Sequence, residues 1–160
     1  MEVARQASRV ATVLSGEDGH VLVAAAYLHD VGYAVQLVRT GFHPLDGADH
    51  LRELCIDHRV CCLVAHHSAA RFEAAERGLL SELDAYQREV GPVMDGLIYA
   101  DMTTGSAGQQ VDVSERIDNI LRRYDREGPV GRVICRQARP ALQAAVERTK
   151  RRLDMANQPM

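Results

Sequence analysis

The sequence predicts an all-α protein, a single-domain bundle of helices. Three observations carry that expectation. Apolar residues recur at steps of three and four along most of the chain, as the buried stripe of an amphipathic helix requires. No alternation of apolar and polar residues runs longer than a few positions, so no strand pattern competes. Candidate caps and breakers, among them Pro44, Asp57, Gly91-Pro92 and Ser114, stand at the joints between periodic segments. With 160 residues the chain suits one domain (1–160) with a real core. Only 4% is aromatic and no Trp occurs, so that core must be built from Ala, Val, Leu and Ile.

The elements follow in order. Val3, Ala4, Ala7, Val10, Ala11 and Leu14 mark a first helix, already in progress where the sequence starts, and Ser15 to Gly19 turn the chain. A second helix runs from about Asp18 to His29 on the stripe Val21, Leu22, Ala25 and Leu28, with Gly32 as its stop. After a looser segment from Ala34 to Thr40, Pro44 suits the first turn of a third helix and places His43 at or just before its N-cap. Asp57 can cap a fourth, whose stripe Val60, Leu63, Val64 and His67 carries a histidine inward. Ala69 to Arg88 reads as one or two short helices. Then Val93, Met94, Leu97, Ile98, Asp101 and Met102 recur at helical spacing. Asp101 is the anomaly there, a carboxylate on an apolar face that must be paired or bound to metal. Thr104 to Val113 reads as a loop. Ser114 can cap a helix bearing Ile117, Ile120, Leu121 and Tyr124, and a last helical region from Pro129 to about Met155 is split by Pro140.

Composition excludes several functions. The net charge of −3 gives no basic field for nucleic acid or membrane, and the basic run Arg148 to Arg152 reads as a solvated helix end. Of 19 basic residues only Lys150 is a lysine, which excludes a catalytic lysine, a Schiff base or a Walker-type lysine in the body of the chain. Cys55, Cys61, Cys62 and Cys135 show no zinc-finger spacing and read as reduced, packed thiols. No signal-like start and no apolar run near 18 residues occur, so a soluble, cytoplasmic protein is expected.

The chemistry gathers on a few residues. His29 and Asp30 are adjacent, offering an imidazole nitrogen and a carboxylate from one short piece of backbone. Downstream lie His43, the pair His66-His67, and Asp101. Nitrogen and oxygen donors without sulfur suit one or two divalent ions of Mn, Fe, Co, Ni or Zn. Asp30 can bridge two ions, and a water on them loses a proton easily and attacks phosphorus or carbon. His50 and His58 are read as satisfied by neighbours, and His20 as a surface residue.

The segments AAYLHDVGY, TGFHPLDGADHLR, LVAHHS and YADMTTG together resemble the HD-domain superfamily of metal-dependent phosphohydrolases, over nearly the whole chain. The resemblance implies an all-α bundle of the HD type, with His29, Asp30 and Asp101 as ligands and His29 and Asp30 as the catalytic pair. His43 and His66-His67 are similar to the extra ligands of a binuclear subset that includes the HD-GYP cyclic-dinucleotide phosphodiesterases. Three departures matter. The family's leading His is absent: either the ligand falls just before Met1 or the site lacks it, with Gln6 a weak substitute. Tyr33 stands where HD-GYP enzymes carry lysine, and Ser68-Ala69-Ala70-Arg71 follows the His pair in place of GYP. A small stand-alone phosphohydrolase is therefore expected, a phosphomonoesterase or phosphodiesterase using a metal-activated water. Its implied partner is a small phosphorylated substrate, a nucleotide by resemblance, with Arg71 or Arg39 as phosphate binders from residue type alone. The alternatives are an impaired metal- or nucleotide-binding module and a di-iron oxygenase. An Ala-rich helical surface also permits a homodimer.

Overall fold

A computed structural model describes residues 1–123, 131 and 137–158. The all-α expectation holds. Among the described residues no strand forms, and Thr104 and Gln110 make an isolated bridge. The helices are α1 (Glu2–Ala11), α2 (Gly16–Leu28), α3 (His43–Glu53), α4 (His58–His66), α5 (Ala70–Arg77), α6 (Leu80–Leu83), α7 (Pro92–Met102), α8 (Val113–Arg123) and α9 (Arg139–Ala156).

Their ends follow from local chemistry. Ser15 caps α2 by accepting from the Asp18 amide at 3.4 Å, so the helix starts two residues earlier than the apolar stripe suggests. Asp57 caps α4 as expected, accepting from the Arg59 and Val60 amides at 2.8 and 3.2 Å. Pro44, Pro92 and Pro140 each occupy a first helical turn, where a missing N–H costs nothing. Pro140 thus opens α9 rather than splitting a helix. The stretch from Pro129 towards it lies largely outside the described residues, as do Tyr124 and Cys135. At α8 the carboxylate of Asp112 accepts from the Ser114 amide at 2.8 Å, so Asp112 does the capping expected of Ser114.

The core is built around α7, which packs against α1, α2 and α9, while α3 and α4 pair and α4 leans on α2. Leu22, Leu63, Leu97, Ile117, Leu142 and Val146 are buried at its centre. Gly96 lets α7 lie close against α1 and α2, because a Cβ there would fall 3.0 Å from both Leu22 Cδ2 and Val10 Cγ1. Since α7 is surrounded, it buries two carboxylates, not one. Asp95 accepts from Arg148 at 2.7 and 2.9 Å and from Arg152 at 3.2 Å. The basic end of α9 is therefore not simply a solvated run; two of its arginines clamp α9 to α7. Cys61 and Cys62 are buried, but Cys55 is exposed, ending α3 with a left-handed φ of 56°.

Candidate metal centre

Asp30 and His43 are brought together by a backbone contact. After α2 the chain makes a short 3-10 turn, Val31–Tyr33, which lies directly on the first turns of α3. Gly32 is the point of touch: a Cβ there would fall 2.0 Å from the His43 carbonyl oxygen and 2.7 Å from the Gly47 nitrogen. Gly32 thus serves close approach rather than stopping a helix, since α2 has already ended at Leu28. The loop leading into α3 is fixed by buried Asp46, which accepts from the Arg39, Thr40 and Gly41 amides and from the Thr40 hydroxyl at 2.8–3.2 Å. Asp46 was not singled out from the sequence. Its signal was an Asp in a helix first turn beside Pro44, with three open amides just upstream.

Around this junction five of the six expected site residues converge. His29 Nε2 lies 3.3 Å from Asp30 Oδ2 and 4.0 Å from Asp101 Oδ1. His43 Nε2 and His67 Nε2 are 3.2 Å apart, and Asp30 Oδ1 is 3.7 Å from the first and 4.0 Å from the second. Asp30, His43 and His67 each place a ligand atom within 4.8 Å of the other two.

His66 does not join them, which corrects its expected role as a ligand. It closes α4, and its Nε2 meets the Tyr86 carbonyl at 2.9 Å instead of the cluster. There it borders a separate cavity with Phe72, Met94 and Ile98. Adjacent residues leaving a helix point in different directions, so His66-His67 cannot both reach one site. His67 leaves α4 with extended backbone (ψ 161°), and Ser68 and Ala69 after it both adopt left-handed φ values, 49° and 64°. Two such non-glycine residues in succession are costly, and strain of this kind concentrates at functional sites.

The histidines are oriented by their own helices. His29 Nδ1 donates to the Ala26 carbonyl at 2.9 Å, and His67 Nδ1 donates to the Val64 carbonyl at 2.6 Å. A carbonyl only accepts, so Nδ1 carries the proton in both rings and Nε2 is aimed at the cluster. This is the arrangement by which backbone carbonyls hold metal-binding imidazoles. His29 Nε2 is buried and faces Asp30 Oδ2 at 3.3 Å. Ligand nitrogens about 2.0–2.1 Å from a shared ion sit roughly 3 Å apart, close to the His43–His67 separation. The donor set, its aim and its spacing therefore fit a divalent cation.

Electrostatics divide the rings. Burial works against protonation of His29, but the Asp30 hydrogen bond and the Asp101 and Asp30 charges outweigh it and push its pKa up to about 9. Burial, reinforced by the neighbouring His67, pushes His43 down to about 3. Burial also lowers His67. Asp30 loses some hydration, yet His29, His67 and His43 hold it well below the usual carboxylate range.

The cluster floors a cleft of about 360 Å³ whose walls include Met102, Ile120, Leu142, Arg77 and Arg116. The expected phosphate binders are elsewhere. Arg39 is spent on Glu53 at 2.7 and 2.9 Å, and Arg71 on Asp84. Arg116 instead donates to Asp101 Oδ1 at 3.3 Å, while the Ser68 hydroxyl donates to Asp101 Oδ2. Neither Arg77 nor Arg116 stood out in the sequence, because arginine supplies nearly all the basic charge of this chain. Tyr33 stacks on His43, ring centroids 3.8 Å apart and planes 15° apart. Gln6, the weak substitute for the absent first His, is buried on α1 with its oxygen accepting from Arg9 at 3.3 Å.

An all-helical bundle with a His/Asp cluster at the floor of a cleft is a class of protein with a recognisable metal-site architecture. The family model of the HD domain matches residues 1–117, and the chain belongs to that family, whose members are in general metal-dependent phosphohydrolases. No curated protein and no solved structure matches the chain. Among the described residues no helix is long and apolar enough to cross a membrane.

Proposed function

We propose that this chain is a metal-dependent phosphohydrolase acting on a small phosphate ester of the nucleotide class. The observation that carries the reading is the convergence of Asp30 Oδ1, His43 Nε2 and His67 Nε2 within 4.8 Å of one another at the floor of a cleft with arginines on its wall. Those three residues hold the cation. A divalent ion there supplies Lewis acidity, lowering the pKa of a water and drawing charge from a phosphoryl oxygen.

The protein's own groups do the rest. Asp30 keeps its negative charge through neutral pH, with Oδ1 towards His43 and His67 and Oδ2 towards His29. His29 orients Asp30 through Oδ2, and its own ring is held by the Ala26 carbonyl. Arg116 meets a phosphate oxygen from the wall, as a guanidinium does with its fork of donors, while Arg77, on the same wall, is paired with Glu73 at 2.7 Å. Met102, Ile120 and Leu142 give the ester's organic part an apolar surface and exclude water beside it.

The test measures metal per chain and hydrolysis of p-nitrophenyl phosphate and nucleoside monophosphates. Native protein is expected to bind Mn²⁺ or Co²⁺ and to turn over at least one ester. His67→Ala should lower turnover at least about 100-fold, whereas His66→Ala, if folded, should stay within about threefold because its ring faces away. Metal binding with no turnover of any ester, or equal losses for His66→Ala and His67→Ala, would overturn the reading.

A further inference from the structure

Asp30 presents its two oxygens to two different neighbourhoods. Oδ1 faces His43 and His67, whose Nε2 atoms lie 3.2 Å apart at the spacing of ligands to a shared ion. Oδ2 faces His29, and beyond it stands Asp101. The second neighbourhood already holds a cation belonging to the protein. Arg116 Nη2 lies 3.3 Å from Asp101 Oδ1, and the Ser68 hydroxyl occupies Asp101 Oδ2. Both carboxylate oxygens of Asp101 are thereby engaged within the chain.

This engagement is built rather than incidental. The Arg116 and Asp101 side chains are 16% and 9% exposed, so the pair is largely shielded from water and salt. Arg116 is held by α8, whose next residue, Ile117, is fully buried and whose first turn is capped by Asp112. Ser68 reaches Asp101 from the left-handed step immediately after His67, so one short segment supplies both a cluster imidazole and this hydroxyl.

Resting on the reading above, we propose that Arg116 is a built-in cation occupying the position beside Asp101 that a second metal ion would take, so that the site binds one ion, on Asp30, His43 and His67. A guanidinium there repels a second dication and competes with it for the same carboxylate. It also performs the electrostatic part of a second ion's work, placing fixed positive charge against a phosphoryl oxygen that gains negative charge during hydrolysis. Arg116 is then specific to the charge state of the site: the protein supplies one cation and takes up the other from solution.

The experiment strips the full chain with a chelator and titrates it with Co²⁺, reading stoichiometry by calorimetry and elemental analysis and coordination by visible absorption. Native protein is expected to bind one Co²⁺ per chain. Arg116→Gln should gain a second, weaker equivalent, and Arg116→Lys, which keeps the charge, should stay at one. Asp101→Asn should retain one ion with affinity changed by less than tenfold, and this variant keeps the test decisive if Arg116→Gln fails to fold. Two ions on native protein, a folded Arg116→Gln that still binds one, or loss of the ion in Asp101→Asn would each overturn the proposal. Two ions together with ester hydrolysis would remove this proposal alone. No ion at all would remove the hydrolase reading with it.

Discussion

Replacing Gly32 with Ala tests whether the contact between the 3-10 turn and α3 sets the geometry of the cluster. An added Cβ would sit 2.0 Å from the His43 carbonyl oxygen and 2.7 Å from the Gly47 nitrogen. Ordinary contact begins near 3.4 Å, so relieving the 2.0 Å clash needs the turn and α3 to part by about 1.4 Å, and both neighbours are backbone that cannot rotate away. Overpacking costs about 1–3 kcal/mol in general, and a backbone clash belongs at the upper end, about 3 kcal/mol. For a chain of this size each kcal/mol moves Tm by roughly 2–4 °C, giving a fall of roughly 6–12 °C. Because the same separation carries Asp30 away from His43, Co²⁺ affinity should fall at least tenfold. Gly47→Ala is the control. Its Cβ would meet Gly32 N at 3.1 Å and Val31 Cγ1 at 3.2 Å, a milder crowding that the better helix propensity of Ala partly offsets. Circular dichroism melting and Co²⁺ calorimetry on both variants make the comparison. A Gly32→Ala protein with Tm within 2 °C of native and Co²⁺ affinity within threefold would show that this contact does not govern the site.

Two further outcomes are expected. In chelator-treated protein, His29 has a folded pKa of about 9 against its ordinary 6.5; the stability it contributes, on the order of 3 kcal/mol, is fully present below pH 6.5 and lost as pH rises towards 9. His43, pushed down to about 3, acts in the opposite sense, its contribution being present above pH 6.5 and lost as pH falls towards 3, so melting temperature should peak near pH 6.5, and a steady rise from pH 6 to 9 would contradict the assignment. Asp95→Asn should cost about 2 kcal/mol in urea unfolding, because a buried carboxylate loses the charge that two arginines of α9 meet, while the arginines keep partial access to water; a change below about 0.5 kcal/mol would mean the clamp is not energetically significant.

Much of the helical order was legible because caps and apolar spacing are local properties. Asp57 caps α4 through amides two and three residues ahead, and Pro44 enters a first turn whatever lies around it. The reading failed where a helix is buried on all sides. On α7 a single apolar face was expected, which singled out Asp101 and passed over Asp95, although the two are almost equally buried. The arginines of α9 were likewise read as solvated because their partner lies more than fifty residues away in sequence.

The candidate site divides in the same way. His29-Asp30, His43, His67 and Asp101 were identifiable from residue type, spacing and likeness to the HD domain, since the side chains able to hold a divalent ion are few. Which atoms meet was decided by tertiary structure. The Gly32 contact lays Asp30 against His43, and α4 ends at His66, so that His67 leaves it with extended backbone and the two rings take different partners. The cleft's arginines could not be chosen from nineteen basic residues by spacing, because Arg116 reaches Asp101 only through the packing of α8. The sequence alone determined the helices and the ligand chemistry, both set by individual residues and their near neighbours. The tertiary structure decided the partners, because direction and distance between remote side chains exist only once the helices have packed.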